Sequence, residues 1–289
     1  MRIYLGTIRS DAVGFKRIVN LAAKARETQQ ESITLDFSPC RFFEANMSAP
    51  LYAVISHLHE ANKHVSIDNV PENISKILRK NRFLTLFERT ELTDIYQTTL
   101  PFDIFNTTEE NRFYDYIIKY MQGKGIPAMS PELTKRFRQS LLELFLNAAH
   151  HSESKSGIFA CGQYYPQKQR LDFTIADAGI GIPENVRRYR KIKISSCNAI
   201  QWATQEGNTT KTGNQPGGLG LKLIKDFVNI NKGMIQIISQ SGYYTYSAEI
   251  ESLWDIPLDF PGTCINIEIN TADTSNYCLQ SELTNTNIF

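Results

Sequence analysis

No stretch of this sequence approaches the roughly 18–20 consecutive apolar residues needed to span a bilayer. The opening residues Met1-Arg-Ile-Tyr-Leu-Gly-Thr-Ile-Arg-Ser also lack the long apolar run of a secretory leader. Cysteine is sparse. Cys40, Cys161, Cys197, Cys264 and Cys278 are dispersed, with no CxxC pair and no histidine at metal-ligand spacing. An odd, scattered set reads as reduced thiols rather than a disulfide framework or a zinc site. Excess charge is missing too: 31 Lys and Arg stand against 30 Asp and Glu, for a net charge of +1. Nothing in that balance points to a nucleic acid or a membrane surface as partner. Internal repeats, low-complexity tracts and long flexible linkers are absent. These absences together lead us to expect a soluble, cytoplasmic protein.

What is present is enough apolar material, 42 % of 289 residues, to fill two cores. Over residues 1–100 strand-like and helix-like segments alternate. Arg2 to Thr7, Ile33 to Phe37 and His64 to Asp68 read as strands. Asp11 to Thr28, Met47 to Ala61 and Pro71 to Lys80 read as helices. That order implies βαβ units and a partly parallel sheet. Between residues 88 and 110 the pattern changes, and a second domain is expected over 101–270. It comprises a strand at Pro101 to Phe105 and helices at Glu109 to Met121 and Pro131 to His151. Strands follow at Ile158 to Tyr165 and Leu171 to Ala176, a helix near Asn198–Glu206, and another helix opening at Gly217. Strands at Met234 to Ser239 and Cys264 to Ile269 close it. Residues 271–289, rich in Asn and Thr, read as a frayed tail. The expected fold class is α+β.

Three motifs carry the chemistry. Glu143, Asn147 and His151 recur every four residues, so they share a helix face, with His150 beside them. A carboxylate, a carboxamide and imidazoles on an otherwise apolar helix are costly to bury without partners, and they read as the lining of a polar pocket. Asp177-Ala-Gly179-Ile-Gly181-Ile182 follows a strand. It offers a fixed carboxylate at a sheet end, with glycines that let a flat ring approach the backbone. Gly217-Gly218-Leu219-Gly220-Leu221 precedes a helix, where free N–H groups suit a phosphate. It is neither a Walker A loop nor a Rossmann fingerprint, because no Lys-Ser/Thr follows and the βαβ spacing is wrong. Each motif alone also fits an ordinary turn, loop or surface helix.

In this order, the three motifs resemble the Bergerat-type α/β sandwich of the GHKL superfamily: DNA gyrase B, the heat-shock chaperone, histidine kinases and mismatch-repair MutL. Gly262-Thr263 before the last strand matches a late Gly-Thr of the same fold. The resemblance implies ATP with Mg²⁺. Asp177 would accept from the adenine amine with Thr263 in support. Gly179, Gly181 and Ile182 would border the base, and Asn147 would hold Mg²⁺. Gly217, Gly218, Leu219, Gly220 and Leu221 would cradle the phosphates, and Glu143 would be the general base. His150 and His151 would lie beside the nucleotide, with His150 departing from a Lys frequent there. Residues 184–216 would form a lid that orders with nucleotide. The basic run Arg187 to Lys193 within it reads as a solvated helix end, or as a contact to phosphates or nucleic acid.

The first hundred residues, through Leu35 to Leu51 and Val65 to Leu78, resemble the STAS fold of anti-sigma-factor antagonists. The Asp-Ser phosphorylation pair is missing, and Ser48 reads as a helix cap. Three functions follow. The first is an ATP-driven switch with slow hydrolysis acting on a protein partner, STAS-like or other, in a chain able to dimerise. The second is a serine kinase of the anti-sigma-factor type. The third is a non-catalytic nucleotide-binding adaptor. The histidine-kinase form is poorly supported, because no dimerising hairpin with a phospho-acceptor histidine precedes residue 131.

Overall fold

A computed structural model describes residues 1–208 and 219–282, and at 219 and 220 the backbone alone. The first strands, β1 (Arg2–Tyr4), β2 (Ser32–Asp36) and β3 (His64–Asp68), pair in parallel in that order, with Ile3 beside Leu35 and Leu35 beside Ile67. Helices α1 (Ala12–Glu27), α2 (Ser48–Glu60) and α3 (Glu72–Lys80) connect and flank them. Asp11 caps α1 by accepting from Gly14 N at 2.7 Å. Ser48 does not cap α2 as expected. It is buried, and its hydroxyl accepts from Asn81 Nδ2 at 3.2 Å.

The larger unit is a five-stranded antiparallel sheet. It contains β4 (Thr99–Phe105), β6 (Ile158–Tyr165), β7 (Arg170–Asp177), β8 (Met234–Ser247) and β9 (Ile250–Asn270), in the order β4-β6-β7-β9-β8. Helices α4 (Glu110–Met121), α5 (Pro131–His151) and α8 (Leu219–Asn231) cover one face. Short helices α6 (Gly181–Arg190) and α7 (Ser196–Thr204) follow β7. Strands β8 and β9 run well past the expected Met234–Ser239 and Cys264–Ile269, because alternation continues through Tyr244, Ile256 and Phe260. The resulting hairpin reaches α1, where Tyr243 meets Phe15 with ring centroids 5.6 Å apart.

Strand β7 shows why the molecule has three layers. Leu171, Phe173 and Ile175 point into the helical core, while Ala176 belongs to the core shared with the N-terminal unit. On that second side Arg170 bonds Glu44, and Thr174 accepts from Asn46. Phe102, Phe159, Cys161, Cys264 and Phe260 complete the shared core. The N-terminal unit therefore lies directly on the sheet, opposite the helices. A sheet with two apolar faces needs a cover on each.

Part of the expected tail is ordered. Strand β10 (Asn276–Tyr277) pairs in parallel with β5 (Ala128–Met129), and Ser130 Oγ donates to Glu282 at 2.6 Å. Residues 283–289 lie outside the described residues. Ser130 also caps α5, accepting from Leu133 N at 3.1 Å. Ser130→Ala is expected to lower stability by about 1 kcal/mol, the usual value of a cap, read by urea denaturation; no change would mean the cap is idle. Among the described residues, no helix is long and apolar enough to cross a membrane.

Candidate functional site

A cavity of about 140 Å³ opens between α5, α6, α7 and the helical face of the sheet. Its size is close to that of an apolar protein cavity known to hold one benzene ring. Asn147 and His151 line it from α5, Asp177 from the end of β7, and Gly181 and Ile182 from the start of α6. Leu221 of α8 and Thr263 of β9 complete the set foreseen from sequence. Ile175, Ile237 and Ile265 form an apolar floor. Three strands and four helices, remote in sequence, thus converge on one space.

Not every expected residue is there. Glu143 sits one turn before Asn147 on α5, half-buried and outside the cavity lining. His150 is exposed, with its ring 6.3 Å from that of His151, and also lies outside the lining. Gly217 and Gly218 fall outside the described residues, and Leu219-Gly220 form the first residues of α8.

Gly179 serves the backbone more than the cavity. A Cβ there would stand 1.8 Å from the Ser152 carbonyl oxygen, which accepts from Ile180 N at 2.7 Å. Gly262, at φ +93°, packs where a Cβ would fall 2.1 Å from the Asp177 carbonyl oxygen. These glycines let three backbone segments close around Asp177. Its Oδ1 accepts from Gly179 N at 2.9 Å. Burial pushes the Asp177 carboxyl up to about 7, against the lowering effect of backbone donors at Gly179 and Thr263.

Sequence reasoning missed several lining residues. Asn185 donates to the His151 carbonyl at 2.5 Å, joining α6 to the end of α5. Trp202 and Thr204 line the cavity from α7. Trp202 is one of only two tryptophans, and that scarcity was the available signal. Of the lid expected over 184–216, residues 209–216 lie outside the described residues, and in the rest α6 and α7 are tied to the β8–β9 hairpin. Arg187 donates to Gln240 Oε1 at 2.6 Å and to the Ile194 carbonyl at 3.1 Å, and Ser241 Oγ donates to Ser196 Oγ at 3.0 Å. Cys197, Ala199 and Ile200 are buried beneath. Within the basic run, Arg187 is therefore engaged locally, and Arg188 pairs with Glu184 and Glu153, each at 2.8 Å.

Among the described residues no group of three His, Cys, Asp or Glu side chains is placed to hold a metal. Any cation here would draw most of its ligands from the bound molecule and water, as Mg²⁺ does at phosphate sites. The Asn147 carboxamide, on the cavity wall and with no side-chain hydrogen bond among the described residues, fits one such ligand position.

Comparison with known proteins agrees with this geometry. The family model described as "Histidine kinase-, DNA gyrase B-, and HSP90-like ATPase" matches residues 132–271. The chain is 29 % identical over 108 residues to the sensor histidine kinase TmoS of Ectopseudomonas mendocina. It is 33 % identical over 108 residues to the circadian input-output histidine kinase CikA of Synechococcus elongatus. Each match covers 37 % of this chain but only 10 % and 13 % of those relatives. The likeness is thus to one domain of much longer proteins. That domain holds every element around the cavity: residues 132–271, just under half of the chain, carry a domain that matches the histidine kinase-, DNA gyrase B-, and HSP90-like ATPase family.

Proposed function

We propose that the cavity binds Mg-ATP, and that binding with slow hydrolysis switches the chain between two states read by a protein partner in the cytoplasm. The observation that carries this reading is the convergence of Asn147, His151, Asp177, Gly181, Ile182, Leu221 and Thr263 on one ring-sized space. Asp177 would accept from the exocyclic amine of adenine, at the end of a floor of Ile175, Ile237 and Ile265. Asn147 would offer its carboxamide oxygen to Mg²⁺, which supplies charge neutralisation on the phosphates when bound. Glu143, one turn up the same helix, would take the proton of an attacking water, which requires it to turn toward the phosphate end. The phosphate cradle would come from Gly217 to Leu221, at the N-terminus of α8. The STAS-like unit on the opposite face of the sheet would carry the partner surface.

A second reading, phosphoryl transfer to protein, is favoured by the relatives, both named histidine kinases. Transfer to this chain's own Ser48 is disfavoured, because that hydroxyl is fully buried and bonded to Asn81.

The deciding experiment incubates the chain and a Glu143→Ala variant with γ-labelled ATP and Mg²⁺. The switch reading expects free phosphate from wild type, at least about 100-fold less from the variant, and ATP affinity retained. Label on protein selects the kinase reading. Binding without turnover leaves an adaptor. No saturable ATP binding would overturn the proposal.

A further inference from the structure

Ser239 stands 0 % exposed on β8, beneath the start of α6. Its hydroxyl has three neighbours: it accepts from Ile182 N at 2.9 Å, donates to the Gly262 carbonyl at 2.8 Å, and lies 2.9 Å from Thr263 Oγ1. A hydroxyl has one proton and two lone pairs. A carbonyl can only accept, so the Ser239 proton goes to Gly262. An N–H can only donate, so one lone pair is taken by Ile182. The remaining contact, with Thr263, must then be one in which Thr263 donates. The hydroxyl directions follow from this donor count. Reversing them would deprive the buried Gly262 carbonyl of its Ser239 bond, and a buried acceptor left unpaired is costly.

The consequence falls on the cavity. Thr263 lines it, and its only proton points away from it, to Ser239. Ile182 N approaches Thr263 Oγ1 as well, at 3.2 Å, again as donor. Thr263 therefore has only lone-pair character to offer a ligand. Asp177, paired with Thr263 in the β7–β9 ladder, is a second polar group lining the cavity beside it, and when ionised it too only accepts.

We infer that Ser239 is a specificity-determining residue: by engaging the proton of Thr263 it makes this end of the cavity a double acceptor, which selects a 6-amino purine over a 6-oxo purine. This rests on the nucleotide reading above. An amine brings two N–H donors to two acceptors, directly or through water. A 6-oxo group would set its lone pairs against theirs. Ser239 touches no ligand itself and acts through Thr263.

The test measures dissociation constants for ATP and inosine triphosphate on the full chain by calorimetry, in wild type, Ser239→Ala, Ser239→Thr and Thr263→Val. In Ser239→Ala the Thr263 proton is released and can turn to the 6-oxo group, so the preference for ATP should fall about tenfold, equivalent to about 1.4 kcal/mol. Ser239→Thr keeps a hydroxyl and should restore the ratio. A purely structural role would weaken both ligands alike and leave the ratio unmoved, overturning the inference. Thr263→Val keeps the test decisive should Ser239→Ala not fold. If Thr263 only accepts, Val removes a repulsion and inosine triphosphate gains on ATP. If Thr263 donates to the ligand, inosine triphosphate loses instead, and the inference fails. Wild type that binds neither nucleotide defeats the functional proposal. Wild type that binds ATP with these ratios unmoved defeats this inference alone.

Discussion

Asp177→Asn is expected to weaken ATP binding about 100-fold or more and to abolish the pH dependence of affinity near neutrality. In the structure one carboxylate oxygen already accepts from Gly179 N at 2.9 Å. In the variant the carboxamide oxygen would keep that bond, and the NH2 group would face the cavity. A donor would then meet the donor amine of adenine. Losing a charge-assisted bond and leaving a mismatched polar pair costs about 2–3 kcal/mol or more, and each 1.4 kcal/mol is about tenfold.

The pH effect follows from burial. Burial pushes the Asp177 carboxyl up to about 7 in the free protein, and accepting from an amine favours its ionised form. Affinity is therefore full above pH 7 and falls as pH drops through 7, by up to about tenfold per unit, with a proton released on binding. The same group acts on folding with the opposite trend. Its folded value lies above the ordinary unfolded value near 4, so its contribution to stability is present below pH ~4 and is lost as pH rises through about 7. Calorimetric titrations from about pH 5.5 to about 8.5 would show a wild-type slope that Asp177→Asn lacks; equal slopes would remove Asp177 from the site.

Arg170→Met should cost about 3–5 kcal/mol of folding stability at neutral pH, the usual penalty for leaving buried carboxylates without their cation. Arg170 lies between the sheet and the N-terminal unit, 2.6 Å from Glu44, 2.8 Å from Asp172 and 3.4 Å from Glu268. Glu44 and Asp172 are almost wholly buried. Even with the exposed Lys168 ammonium 3.8 Å from Glu44, two cations face three carboxylates, and one carboxylate is left without a cation of its own. For Glu44 burial works upward, but the Ser10 N–H and hydroxyl, with Arg170, hold the carboxyl below its usual range. For Asp172 and Glu268 burial wins over Arg170, and the neighbouring carboxylates add to the rise. At neutral pH Asp172, pushed up to about 8 by burial, holds a proton.

Signs follow from those directions. The share of stability from Glu44 is present above about pH 4 and lost as pH falls through its lowered value. Asp172 and Glu268 oppose folding progressively as pH rises from about 4 through their raised values. Arg170→Met should therefore be far less damaging at about pH 5 than at about pH 8, and a second change, Glu44→Gln, should recover part of the loss. Urea denaturation followed by tryptophan fluorescence measures all three. A loss below about 1 kcal/mol at about pH 8 would make this an ordinary surface pair.

Which residues meet at the cavity was legible in the sequence where local geometry alone brings them together. The four-residue spacing of Asn147 and His151 needs only a helix to place both on one face. Asp177 needs only the end of a strand. Glu143 and His150 failed to join the cavity lining because spacing narrows a helix face to an arc but does not aim each side chain. Trp202, Thr204 and Asn185 were invisible because nothing local distinguishes them. They reach the cavity only because α6 and α7 are bolted to a hairpin that comes later in the chain, as with Arg187 on Gln240.

Local periodicity determined which segments are helix or strand, the α+β class, and the motif order that marks the nucleotide-binding domain. Those signals are short-range, set by side-chain repeats of about 3.6 and 2 residues and by glycine positions. Tertiary structure alone decided that the N-terminal unit covers the second face of the sheet, that Ser48 is sealed against Asn81, and that the Ser239 and Thr263 hydroxyls meet. Each depends on contacts between residues from 24 to 126 positions apart. Such pairings are selected by burial and by the satisfaction of buried polar groups, which no local pattern encodes.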